Sequence, residues 1–242
     1  NDKLFNIKQS IERNHMNYSQ VLQSLGPFME VVDQVKLTRN LDMLQAGTAK
    51  VDVSLVPLAL GITYHEMCVL GYLKRHDASY ASYAQKALDQ LELARADAPQ
   101  APLPILDAYA TSARSLVAAV KRNPFGLLGV IRRYNQLIRR DAAVCYCADF
   151  LRASLLENLP NLFGGHAQAA TSLNRILAIQ QERPEYCPPK IVSFCYFGLA
   201  GLAKDGDSKR QYLARSIAED SAGDGAAIMA QEVLDKLGAY YG

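Results

Sequence analysis

The chain of 242 residues has no tryptophan, four histidines and five cysteines. Fifteen glycines and ten prolines, with no low-complexity tract, exclude collagen-like and Pro/Gly-rich disordered classes. No charge-free apolar run reaches the roughly 18–20 residues of a membrane-spanning helix. The longest, Ile191 to Ala203, has thirteen. An odd number of cysteines leaves at least one thiol outside any intramolecular pair and argues against a small disulfide-built scaffold. Charge of one sign is also scarce: the formal net charge is +2 with 21% charged residues, while 50% hydrophobic residues suffice for one sizeable core. Asn1 is not an initiator methionine, and neither a basic segment nor an apolar signal core follows it, so a processed or trimmed chain that has lost an address label is expected.

What is present is helical spacing. Apolar residues recur at three and four far more often than they alternate, and glycine and proline fall between the periodic stretches. Helices are expected at about 3–14, 17–35, 38–46, 51–74, 77–96, 102–121, 124–139, 141–158, 165–181, 188–203, 207–219 and 224–238. Asp77, Asn123 before Pro124, and Asp224 read as N-caps. Breaks fall at Pro99, Pro102 and Pro104, at Pro160 with Gly164 and Gly165, and at Pro184, Pro188 and Pro189. Each is too short for an interdomain linker, so residues 1–242 are read as one helical domain. Short connections between long helices imply antiparallel neighbours. The expected fold is therefore all-α, with helical hairpins stacked into an α-solenoid.

A repeat pattern supports that expectation in the C-terminal half. In GGHAQAATSLNRILAIQQERP, Ala169, Leu173, Ile176 and Leu177 have the spacing of the second helix of a tetratricopeptide repeat (TPR). Phe194, Phe197, Gly198 and Gly201 have the offsets of the following first helix. The same register places Ala214 and Ile217 correctly and departs at Arg210. The phrase LENLPNLFGGHAQAATSLNRIL resembles divergent TPR proteins, especially the T component of the tripartite ATP-independent periplasmic (TRAP) transporters. The similarity covers about residues 105–238, leaving 1–100 as divergent N-terminal helices. It implies an exported component anchored to the membrane on the periplasmic side, contacting a solute-binding subunit as an oligomer and handling hydrophobic or acidic solutes. A cytoplasmic scaffold is the alternative.

Catalytic and metal motifs are missing. His65-Glu66 would begin a zinc-peptidase motif, but the position for its second histidine is Val69. His15, His65, His76 and His166 are at least eleven residues apart. On one helix Cys145 and Cys147 would point about 200° apart, which suits neither a redox turn nor a metal clamp. Burial as small apolar residues is expected for them, and in an oxidising compartment Cys187 is placed to meet Cys147 or Cys195. Gly164-Gly165 lacks the glycine and lysine pattern of a phosphate loop and reads as a turn. Neither a metal nor a cofactor is expected.

The strongest charge feature is basic. Arg114, Lys121, Arg122, Arg132, Arg133, Arg139 and Arg140 lie in a stretch with no acidic residue between Asp107 and Asp141. Arg132 with Arg139, and Arg133 with Arg140, repeat after two helical turns and make a positive strip. Such a strip either pairs with the acidic segment containing Asp205, Asp207, Glu219, Asp220 and Asp224 or seats an acidic partner or carboxylate ligand. Tyr109 and Tyr134 are the candidate apolar walls beside it. A pI of about 8.2 without interleaved aromatic and basic residues argues against nucleic acid. The expected function is a noncatalytic TPR-like binding protein, with a generic protein-interaction scaffold as alternative and an all-helical enzyme third. An elongated cavity favours a ligand carrier, an open polar groove a scaffold, and a closed pocket with coupled titratable groups an enzyme.

Overall fold

The computed structural model describes residues 18–73, 80–97, 104–161, 164–220 and 225–241. All regular structure among them is helical: α1 (Tyr18–Leu25), α2 (Gln34–Gln45), α3 (Val56–Cys68), α4 (Ala81–Asp97), α5 (Pro104–Val120), α6 (Pro124–Asp141), α7 (Cys147–Asn158), α8 (Gly165–Glu182), α9 (Pro189–Leu202), α10 (Gly206–Glu219) and α11 (Ala226–Tyr241). The helix expected at 3–14, the junction at Pro99 and Pro102, His15, His76 and the expected caps Asp77 and Asp224 lie outside the described residues.

Local chemistry sets the boundaries. Asn123 accepts a hydrogen bond from the Gly126 amide at 3.0 Å, and Pro124 occupies the first turn, where its missing N–H costs nothing. Asp205 caps α10 by accepting from Ser208 N at 2.7 Å. The helix expected over 17–35 instead stops at Leu25, because Gly26-Pro27 interrupts it and the chain turns through Glu30, whose φ is +51°. Asp33 then starts α2 earlier than expected, accepting from the amides of Val35 and Lys36 at 2.7 and 3.1 Å. The helix expected over 141–158 is also shorter. Asp141 ends α6, a turn follows, and α7 begins at Cys147, so Cys145 is not helical. Gly164 adopts φ +72° before α8, the turn expected of Gly164-Gly165.

Each helix from α2 onward packs against the next in sequence. Contacts also join α3 to α5, α5 to α7, α7 to α9 and α9 to α11. The odd-numbered helices from α3 to α11 therefore form a connected row, and each of α4, α6, α8 and α10 lies against the two helices that flank it in sequence. Hydrophobic patterning explains the division. Twelve of the seventeen residues of α5 and nine of the thirteen of α3 are buried, whereas α10 buries only Leu213 and Ser216. A helix apolar around most of its circumference belongs inside, and one with a narrow apolar stripe belongs at the surface. The stretch Val53–Gly71 is long and apolar enough to cross a membrane by length and composition, yet 61% of it is buried within the protein, as befits a core helix.

The main core runs from Val21 to Leu199 and joins α1 and the turn after it to α2 through α9. Ala169, Leu173, Ile176 and Leu177 are buried in it. On α10 the buried face passes through Leu213 and Ser216, while Arg210 and Ala214 are exposed, so the expected register there is off by one residue. Tight contacts rest on glycine. A β-carbon at Gly61 in α3 would stand 2.5 Å from Leu91 Cγ of α4, whereas one at Gly129 in α6 would meet nothing within 4 Å. In urea denaturation Gly61→Ala is expected to lose about 1–3 kcal/mol through overpacking. Gly129→Ala is expected to gain about 0.4–1 kcal/mol through a less flexible unfolded chain. Equal effects would contradict this account of the α3–α4 contact.

Candidate functional site

The buried row contains an unusual amount of polar chemistry. His65 and Glu66 sit on α3 in a helix otherwise rich in apolar residues, and both are buried. His65 Nε2 lies 2.7 Å from Ser112 Oγ of α5, and its Nδ1 lies 3.2 Å from Glu66 Oε1. Its ring meets Tyr109 edge to face with centroids 5.1 Å apart. Tyr109 in turn donates its hydroxyl to Glu30 Oε1 at 3.0 Å. Glu30 arrives from the turn between α1 and α2, on backbone that few non-glycine residues adopt.

Burial and neighbouring charge act on these groups together. Burial, and then the charge of Glu66, push the Glu30 carboxyl well above the usual carboxylate range, while Lys190 and the Tyr109 hydroxyl oppose that rise. Burial, followed by Glu30 and Glu66, raises the Tyr109 phenol and keeps it a neutral donor. Lys190, near the start of α9, donates to the carbonyl oxygens of Met29 and Gly26, fixing the turn that carries Glu30.

Glu30 and Glu66 open onto a cavity of about 400 Å³. Val31 and Val32 continue its wall from the turn, and Val69 and Leu70 enter from the π-helical turn Val69–Leu73 that extends α3. Phe150, Ser154 and Glu157 face it from α7, His166 and Leu173 from α8, Phe194, Phe197, Gly198 and Gly201 from α9, and Met229 from α11. Phe150 and Phe194 meet edge to face at 6.0 Å. The cavity is thus apolar with three carboxylates, a size and composition suited to a small organic ligand.

Glu157 differs from the other two. Burial alone raises its carboxyl to about 7. Glycine makes its space, since a β-carbon at residue 198 would stand 2.5 Å from Glu157 Oε1 and 2.9 Å from Leu173 Cδ1.

The residues singled out from sequence occupy different places. Tyr109 and Tyr134 are 1% and 0% exposed, so they are core residues and do not wall a cleft beside the arginines. Burial also lifts the Tyr134 phenol, out of reach of ionisation near neutrality. Arg140 is engaged internally: its Nη2 donates to Asp107 Oδ2 and Asp141 Oδ2, each at 2.6 Å, and its Nε donates to Asp141 Oδ1 at 2.7 Å. Arg95 binds the other oxygen of Asp107 at 2.6 Å. The internal partners of Arg140 are thus the acids bracketing the basic stretch rather than the C-terminal acidic segment. Arg133 donates to Gln136 and borders a shallow groove with Arg114 and Lys121, while Arg132 and Arg139 are exposed. The five cysteines are buried and none is in a disulfide; Cys187 bonds to Gln180 instead of another thiol.

Sequence reasoning missed Glu30, Glu66 as a cavity group, and Glu157, because isolated glutamates from three elements have no shared spacing. A glutamate within an otherwise apolar helix face, as at Glu66, was the available signal.

The Glu157 carboxyl protonates more readily folded than unfolded, so the folded state binds the extra proton between its ordinary value of 4.5 and about 7. Its contribution therefore favours folding below that window and is lost as pH rises through it. Glu157→Gln is expected to raise stability at pH 8 by up to about 3 kcal/mol and to change little at pH 4, as checked by urea unfolding at both values. A gain of equal size at pH 4 would refute the assignment.

No protein-family model, curated protein or solved structure matches this chain.

Proposed function

We propose that this chain is a noncatalytic, TPR-like binding protein that takes a small hydrophobic ligand into the cavity between α3, α7, α8 and α9. The observation that carries the reading is the 400 Å³ space walled by Val69, Leu70, Phe150, Leu173, Phe194 and Phe197. Apolar surface left open inside a protein is costly to hydrate, and a ligand that covers it recovers that free energy. The connected row of odd-numbered helices, with even-numbered helices packed between successive members, supports a solenoid of helical hairpins. So does the close approach of α8 and α9 at Leu173 and Gly198, two positions in the repeat pattern.

In the TRAP-related form of this reading, the protein works on the periplasmic side and hands its ligand to or from a solute-binding subunit. The face available for a protein partner is α6. Phe125 and Leu128 are 83% and 49% exposed, and Arg132 and Arg139 continue the same helical stripe. An apolar end followed by free guanidinium groups suits an acidic protein surface with an apolar edge. The same stripe favours the second reading, a protein-interaction scaffold, should the cavity prove unused.

N-phenyl-1-naphthylamine, a neutral apolar fluorophore, tests the cavity. It is expected to brighten on binding the wild-type protein and to lose at least tenfold in affinity with Gly201→Leu. Residue 201 borders the cavity, and a β-carbon there meets no other atom within 4 Å, so the larger side chain fills the space without disturbing the helix. No binding by wild type, or equal binding by a folded Gly201→Leu protein, would overturn the proposal.

A further inference from the structure

We infer that the cavity selects a cation with an apolar body, an alkylammonium whose head lies against Glu157 and whose hydrocarbon lies against Phe150, Phe194 and Phe197. This rests on the cavity being a small-molecule site and names the class of molecule it takes.

The first argument is that Glu157, half-buried in the cavity wall, stands apart from the other enclosed acids. Asp107 is bound by Arg95 and Arg140, Asp141 by Arg140, and Asp149, whose oxygens accept no hydrogen bond, has the Arg175 cation 3.5 Å away. Glu66 has His65, Glu30 has Tyr109, and Asp220 accepts from the Gly225 amide. Among the described residues, neither a donor nor a cation is paired with Glu157. Withdrawing a carboxylate even partly from water without a partner costs free energy, which a cation beside it would offset. The fold nevertheless reserves the space: α9 presents Gly198 where any side chain would meet the Glu157 carboxylate.

The second argument is the charge of the walls. Glu30 and Glu66 face the same space from the turn and from α3, with Lys190 close to Glu30 and His65 beside Glu66. His166 is the basic side chain in the cavity wall among the described residues, half-buried and outnumbered by the three acids. A ligand carboxylate would thus meet three acids. An ammonium would meet a carboxylate partner and the faces of phenylalanine rings, which attract cations. The ligand favoured by these walls is opposite in charge to the acidic solute expected from the arginine strip.

Isothermal titration calorimetry with octylammonium, octan-1-ol and octanoate separates tail from head, because the three share one hydrocarbon chain. At pH 8 octylammonium is expected to bind at least ten times more tightly than octanol, with octanoate weakest. Glu157→Gln is expected to reduce octylammonium to the octanol value and leave octanol unchanged, while thermal unfolding confirms that the variant is folded. At pH 7 octylammonium binding is expected to release protons, seen as a heat that depends on the ionisation enthalpy of the buffer, because the cation draws Glu157 into its charged form. Equal binding of octylammonium and octanol, unaffected by Glu157→Gln, would overturn the choice of a cation and leave the hydrophobic cavity standing. Preferred binding of octanoate would do the same. If none of the three binds and the neutral fluorophore also fails, the ligand-cavity reading falls with it.

Discussion

Lys190 holds the beginning of the described chain against its final third. Its ammonium group takes the carbonyl oxygens of Gly26 and Met29, more than 160 residues earlier in sequence. These carbonyls belong to a turn that buries Phe28 and Met29 against the core, where an unpaired backbone group would be costly. The bond solves that problem and places positive charge beside Glu30. With the turn fixed, Glu30 reaches Tyr109, Val31 and Val32 complete a cavity wall, and α1 joins the same hydrophobic cluster as α9. Neighbouring helices define the rest of the array through local contacts, but this long-range contact closes the cavity on its N-terminal side.

The helical class was legible because two independent signals agree. Apolar residues repeat at three and four, and the strongest breakers fall at Gly26-Pro27, Asn123-Pro124, Gly164-Gly165 and Pro188-Pro189. Where the two signals disagree, the boundary shifts. Apolar spacing carries the expected helix past Gly26-Pro27 to residue 35, although Asp33 caps the next one. Around Cys145 apolar residues continue through a turn in which Val144 is exposed while Cys145 and Tyr146 are buried, so apolar character there does not mark a helix. The same confusion shifted α10, whose single apolar stripe is narrow enough for a one-residue error to exchange Leu213 for Ala214.

The candidate site was less legible for an electrostatic reason. Arginines attract notice in sequence by clustering, yet clustered exposed charges repel and require compensation. Arg140 finds it at Asp107 and Asp141, the acids that mark the two ends of the acid-free stretch. Burial works against Asp107, but two guanidinium groups outweigh it and hold the carboxyl below its usual range. The consequential acids do not cluster at all. Glu30, Glu66 and Glu157 come from a turn and two helices, and only packing brings them around one space. His65-Glu66, an incomplete metal-binding phrase in sequence, becomes part of a hydrogen-bonded partition between α3 and α5.

The sulfur chemistry follows from the same packing. Burial raises the thiols of Cys68, Cys147, Cys187 and Cys195, so little thiolate exists on them near neutrality, and thiolate is the species that alkylating reagents and oxidants attack. Modification must wait for the packing around them to open. The rate at which a maleimide consumes these sulfurs therefore counts excursions out of the folded state, giving the protein a built-in clock for its own opening.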